Sequence, residues 1–233
     1  MKRFYKQAVA APCDGGWQVT LDGRAVKTQG SRTQIVPAQA LAEALADEWA
    51  AQGEEIVPGS FILRDMADYA IDVVSTDRAG ALAALLPYAE SDTLCYRAEP
   101  GEALHRRQAA IWEPLLTAAE QRWDVHFTRV SGIIHQPQPP ATLERLGKVL
   151  AAHDDFTLAA LRTLSGLSAS LVIALAAIEP GAGATALWDA ANLEEDFQAE
   201  IWGQDAEALA RRSLRLRDFT GAMRFATLCR VLQ

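Results

Sequence analysis

The sequence predicts an α+β fold: a small N-terminal antiparallel β-rich part followed by a mainly α-helical C-terminal part. Three observations predict it. Apolar and polar residues alternate through Trp17, Val19 and Leu21 ahead of an Asp22-Gly23 turn, a second turn signal follows at Gln29-Gly30-Ser31, and from Pro37 onward apolar residues return every three or four positions. Half of the 233 residues are hydrophobic and 22% are charged, which is enough apolar surface to order the chain throughout. The expected division is a β-rich domain over residues 1–60 and a helical domain over 61–233. A sub-boundary is admitted near 135–140, where Gln136-Pro137-Gln138-Pro139-Pro140 is the most proline-dense stretch.

Arg3 to Lys6 reads as a strand directly after Met1, so neither a signal peptide nor a transit peptide is expected. Asp22-Gly23 supplies a type I′ hairpin turn, from which Ala25 to Thr28 run back, and Thr33 to Val36 follow the next turn, for a sheet of three or four strands. Pro37 opens a helix whose apolar stripe is Leu41, Leu45 and Trp49, with Gly53 as its stop. A second helix, Arg64 to Val74, presents Met66, Ala70 and Val73. A third, Gly101 to Trp123, presents Leu104, Ile111, Leu115 and Ala118, and Pro114 inside it predicts a kink or two abutting helices. Val125 to Val130 reads as a short strand. Helical patterns then cover about 141–152, 155–178, 184–202 and 205–230, the last two separated by Gly203. Leu158 to Ile178 is the longest apolar stretch, but Arg162 and several Ser and Thr residues interrupt it, so it reads as a buried helix and no membrane insertion is expected.

Few residues offer chemistry. Cys13, Cys95 and Cys229 are odd in number, widely spaced and without a CxxC pair, as reduced packing residues would be. His105, His126, His135 and His153 lack zinc spacing, and Gly181-Ala182-Gly183 follows a helix, where a phosphate loop would follow a strand. Ser165, Ser168 and Ser170 read as small residues that let helices pack closely. Tyr96, Arg97, His105, Arg106 and Arg107 could bind an anion or move protons, or could pair with the chain's carboxylates; an enzyme built on Tyr96, Arg97 and Arg107 is the alternative kept open.

The formal charge of −8 is uneven. Glu43 to Asp72 holds eight acids against Arg64 alone, a local −7, and Asp189 to Glu207 holds seven acids and no base, another −7, leaving the remainder at +6. Such blocks repel nucleic-acid phosphates. Arginines 211, 212, 215, 217, 224 and 230 make the last helix basic, with the preceding acidic helix as counter-charge. Trp188 to Trp202, taken as one helix, carries two apolar faces with Glu195 between the tryptophans. That leaves Glu195 either a buried acid answered by a C-terminal arginine or a charged contact at an interface.

With these segments in place, the sequence resembles the assembly chaperones for the α subunit of the F-type ATP synthase catalytic head. The resemblance runs nearly end to end, through Lys2-Arg3-Phe4-Tyr5-Lys6, Gly16-Trp17, Leu21 to Thr28, Glu48-Trp49-Ala50-Ala51-Gln52, Ala70-Ile71-Asp72 and Leu94-Cys95-Tyr96-Arg97-Ala98. It continues through Arg107-Gln108, Trp112 to Leu116, Gln136-Pro137, Ser170 to Ala176 and Trp202 to Ala208. Gln29 stands where the family usually has Pro, Asp68-Tyr69 where it tends to Asn-Thr, and Ala169 where Gly is usual. The resemblance implies no catalytic activity and no cofactor, and the histidine spacing speaks against a metal. It implies binding of newly made α subunit by a holdase, in the bacterial cytoplasm or, for eukaryotic relatives, the mitochondrial matrix, and a monomer is expected. Partner binding is expected at the acidic segments, chiefly Glu195, Asp205 and Glu207 with Glu194 and Asp72, and Trp49 and Trp202 are the aromatics with a structural or contact role.

Overall fold

The structure, a computed structural model, describes residues 1–132, 134–203 and 205–230. In chain order it forms β1 (Ala8–Cys13), β2 (Gly16–Leu21), β3 (Arg24–Ala25), α1 (Gln39–Ala50), α2 (Ile62–Tyr69), α3 (Arg78–Ala83), α4 (Pro87–Glu90) and β4 (Tyr96–Arg97). There follow α5 (Ala103–Trp123), β5 (Val130–Ser131), α6 (Pro140–Ala151), α7 (Asp155–Ser168), α8 (Leu171–Ala177), α9 (Ala184–Ala191), α10 (Leu193–Trp202) and α11 (Ala206–Leu228). The chain forms two compact units, one of Met1–Ala81, Asp154–Ala160 and the chain from Gly221, the other of Leu82–His153 and Leu161–Thr220.

In the first unit β1, β2 and β3 form an antiparallel sheet in that order. Asp22 and Gly23 both take positive φ, +49° and +81°, as a type I′ turn requires. The Asp22 carboxylate accepts the backbone N–H groups of Lys6 and Gln7 at 3.1 and 2.9 Å, and these bonds hold its carboxyl below the usual range. Gly16 is required where it stands, because a Cβ there would lie 2.5 Å from the Val36 carbonyl oxygen that Trp17 N–H bonds at 2.9 Å. Three expectations change. Arg3 to Lys6 is an arm, tied down by the Arg3 N–H to the Glu54 carbonyl at 2.8 Å beside an isolated bridge from Lys2 to Glu55. Thr33 to Val36 makes only the isolated bridges Thr33 to Lys27 and Val36 to Trp17. The outermost strand is instead β1, apolar from Ala8 to Cys13 and so without an alternation to mark it.

The α1 stripe buries as expected, with Leu41 and Leu45 at 0% exposure. Glu48 on the same helix caps α2 from outside, its two carboxylate oxygens accepting Leu63 and Arg64 N–H at 2.7 and 2.9 Å. After α2, residues Ala70–Val74 form a π turn. One residue more per turn moves the buried position from Val73, which is 44% exposed, to Val74 at 0%.

In the second unit α5 is one continuous helix through Pro114, not two abutting ones. Its buried stripe is Gln108, Trp112, Leu116, Ala119 and Trp123, one position along from the expected face, because Trp112 is fully buried and donates its indole N–H to the Ala190 carbonyl at 2.8 Å. The expected helix over 155–178 is broken. Ala169 takes a left-handed φ of +50°, and Ser170 starts α8 by accepting Ile173 N–H on its hydroxyl at 3.0 Å. Ser168 bonds the carbonyls of Leu164 and Ser170 at 2.8 and 3.0 Å, so these serines shape the break and do not merely make room. A side chain in the left-handed region costs about 1–2 kcal/mol. Ala169→Gly relieves that strain at some cost in unfolded-state entropy, and is expected to stabilise the protein by about 0.5–1 kcal/mol in urea denaturation; a lower midpoint would contradict this account.

Candidate functional site: an acidic groove in the second unit

β4 and β5 pair in parallel over two residues each, Tyr96 with Val130 and Arg97 with Ser131. An Arg-carboxylate network braces them. Arg97 meets Glu113 of α5 at 2.7 Å, Arg129 meets Glu113 at 2.7 Å, and Arg129 also pairs with Glu120, one heptad along α5. The Arg129 bond is the main influence on Glu113, holding its carboxyl below the usual range. Burial pushes Glu120 up, but Arg129 and the Phe127 N–H outweigh it and the net shift is downward.

The expected helix over 184–202 is two helices. At Asn192, whose backbone (φ −107°, ψ 16°) leaves the helical region and whose amide donates to the Trp188 carbonyl at 2.8 Å, α9 ends and α10 begins. The break separates the two tryptophans. Trp188 is 1% exposed and packs its ring 5.5 Å from that of Phe219, whereas Trp202, the last residue of α10, is 81% exposed. Glu195 therefore does not lie between them. Its side chain is 67% exposed with Arg215 at 3.9 Å, which removes the buried-acid reading while keeping the arginine. Gly203 ends α10 at φ +84°, where a side chain would be strained, and its N–H closes on the Ala199 carbonyl at 2.8 Å. Asp205 then caps α11 by accepting Ala208 N–H at 2.7 Å. Gln204 of the Trp202 to Ala208 segment lies outside the described residues.

Between β4 and the start of α5 on one side and α10 and the first turns of α11 on the other lies a groove of about 1160 Å³. Five carboxylates line it: Glu99, Glu102, Glu194, Glu195 and Asp205. Its two cations, Arg97 and Arg212, are held by Glu113 and Asp196, which stand outside the lining, so the face it presents is net negative. Trp202, Leu104, Ala199 and Ala208 give it apolar surface. Burial raises the Glu194 carboxyl above its usual range, partly offset by a hydrogen bond from Gln108.

Four of the expected contact residues, Glu194, Glu195, Trp202 and Asp205, thus meet in one groove. Glu207 stands just outside its lining, exposed and paired with Arg211 one turn on. Trp49 and Asp72 belong to the first unit. Trp49 is 7% exposed, its ring centroid 4.6 Å from Phe61 and 5.6 Å from Tyr5, so its role is packing and the contact role is withdrawn. Asp72 accepts the Thr28 hydroxyl and Gly30 N–H, both at 2.8 Å, and so fastens the turn after β3. Asp68, 4% exposed, does the same through Gln34 and Gln29 N–H at 2.6 and 3.0 Å. Sequence reasoning missed Glu99 and Glu102 on the opposite wall, and Gln108 behind it; a glutamine within an apolar stripe is the one signal that marked the last.

The basic cluster does not converge. The Tyr96 hydroxyl lies 2.8 Å from His135 Nδ1, Arg97 pairs with Glu113, and Arg107 meets both oxygens of Glu200 at 2.8–2.9 Å. The basic stretch of α11 is likewise answered by its acidic neighbour, Arg212 by Asp196 at 2.8 Å and Arg215 by Glu195. Among the described residues there is no cluster of three or more His, Cys, Asp or Glu that could hold a metal ion, and no helix long and apolar enough to cross a membrane.

The description "ATP12 chaperone protein" belongs to the family that matches residues 2–120. Atp12 from Paracoccus denitrificans is 37% identical with a TM-score of 0.90, the match covering 98% of each chain, and a mutant of the same protein matches equally. The Atu1473 protein from Agrobacterium tumefaciens is 35% identical with a TM-score of 0.93, over 98% of this chain and 86% of that one. Likeness at this level, over a fold of a small sheet followed by helices, defines an assembly chaperone. The chain belongs to the ATP12 chaperone family.

Proposed function

We propose that this chaperone holds the free α subunit of the F-type ATP synthase catalytic head until the β subunit takes its place, and that it grips through the acidic groove. The observation that supports this reading is the meeting of Glu194, Glu195 and Asp205 with an 81% exposed Trp202 in one concave surface. Exposed tryptophan beside charge is a frequent anchor of protein interfaces, and charge of one sign steers a partner of the other. A groove that is partly polar also suits a client that must be released, since affinity is then set by a few anchors and not by a large dry area. The protein acts as a monomer, without a cofactor and without a catalytic step of its own, in the bacterial cytoplasm. The enzyme alternative is not favoured, because Tyr96, Arg97 and Arg107 each already have a partner.

Co-expression with the α subunit alone tests the proposal. Soluble α is expected to co-purify with the chaperone and to leave it when β is added. Insoluble α, or a complex indifferent to β, would refute the assignment.

A further inference from the structure

Gln108 is fully buried, yet it is the one polar side chain in the buried stripe of α5. Both ends of its amide are used. Its oxygen accepts the Ala98 N–H at 2.9 Å, and its nitrogen donates to Glu194 Oε1 at 2.6 Å. The orientation is fixed by chemistry: a backbone N–H can only donate, so the amide oxygen must face Ala98 and the NH₂ must face the carboxylate. Ala98 and Glu194 both line the groove, on its opposite walls. One buried amide therefore ties the two walls together from behind. Among the described residues, no group bonds the other oxygen of Glu194.

We propose, on the reading that the groove binds the client, that Gln108 is a positioning residue that anchors one oxygen of Glu194 and leaves the other aimed into the groove to accept a cationic group of the client. An unanchored glutamate on an exposed helix turn spreads over several rotamers, and binding would have to order it. Anchored by a donor with no freedom of its own, Glu194 is ready-made. Glu195, the next residue, has no such anchor and, among the described residues, meets only Arg215 at 3.9 Å. The two neighbouring acids thus differ in kind: Glu194 supplies a directed acceptor and Glu195 supplies diffuse charge.

The test uses Gln108→Glu, Glu194→Gln and the double variant as full-length proteins. Each competes with labelled wild-type chaperone for its complex with the α subunit, and thermal unfolding is followed alongside. Gln108→Glu keeps an acceptor for Ala98 but loses the donor; Glu194→Gln keeps an oxygen for Gln108 but loses the charge. Each single change is expected to weaken competition about tenfold, and the double variant no further than Glu194→Gln alone, since non-additivity marks residues that act through one another. Glu194→Gln should melt with the wild type. A folded Gln108→Glu that competes normally, or one that weakens competition as much with Glu194 replaced as with it present, would overturn the inference. So would a Glu194→Gln variant that competes like wild type, whatever the fate of Gln108→Glu. Failure of the wild type itself to hold α would bring down the client reading first, and this inference with it.

Discussion

Asp92→Ala is expected to cost the protein about 4 kcal/mol, a large share of the stability of an ordinary domain. Asp92 is 0% exposed in the second unit, and its two oxygens accept Leu94 N–H at 3.1 Å and Val172 N–H, in the first turn of α8, at 3.0 Å. Alanine leaves both amides buried and unpaired, at about 1–3 kcal/mol each. Burial is the largest influence on this carboxyl and pushes it up to about 6 from 3.8; the donors from Val172, Ser170 and Leu94 hold it back from rising further. The folded protein therefore binds this proton more tightly than the unfolded chain. The stability Asp92 contributes is complete below pH 4 and declines as pH rises through about 6, by about 3 kcal/mol in all. Urea titrations of wild type and variant at pH 4 and pH 7 check both statements. The gap between the two proteins should be wider at pH 4, and an equal gap at both values would show that Asp92 carries no such shift.

Local signals in the sequence were sound wherever the chemistry that fixes an element is itself local. Asp22-Gly23 is the clearest instance, since two residues tolerant of positive φ are all a type I′ turn needs, and the Leu41, Leu45, Trp49 stripe of α1 is another. Periodicity failed where one residue changes the count. A single added residue in the π turn exchanges Val73 for Val74, and an alanine in the left-handed region, which the composition gives no reason to expect, divides α7 from α8. The same failure hid the groove, because a break at Asn192 puts Trp188 in the core and Trp202 in solvent although seven-residue steps place them together on a continuous helix.

Charge counting misled in a more instructive way. The block from Glu43 to Asp72 holds Arg64 as its one cation, spent on Asp65, but Glu48, Asp68 and Asp72 are answered by the N–H groups of Leu63, Arg64, Gln29 and Gly30. Backbone donors carry no formal charge and are invisible to a tally of Lys and Arg, yet they satisfy a carboxylate as well as a surface ion pair does. Most of the second block is spent too, on Arg212, Arg107, Arg211 and the cap of α11. What remains available to a partner among the described residues is small: Glu195, loosely met by Arg215 at 3.9 Å, the second oxygen of Glu194, and Glu99 and Glu102 across the groove. Legibility of the site from sequence was therefore limited to its α10 wall, because only the fold brings β4 and the start of α5 opposite to it.

That residue of unspent charge leads to the second large effect, on capture and not on stability. Glu195→Lys is expected to reduce recovery of α subunit by tenfold to a hundredfold, and Trp202→Ala by about thirtyfold, the loss of a contact worth about 2 kcal/mol. Neither should change the melting transition by more than a surface substitution does, about 0.5 kcal/mol, because Glu195 is 67% exposed with its nearest cation at 3.9 Å and Trp202 is 81% exposed. The two variants fail for different reasons, which salt separates. Reversal at Glu195 acts through charge, so its deficit should shrink as ionic strength rises and screening shortens the reach of both the attraction and the repulsion. The Trp202 deficit is lost apolar contact and should persist. A Glu195→Lys variant that captures α normally at low salt would remove charge from the account of this groove, and one that melts well below the wild type would return Glu195 to the scaffold.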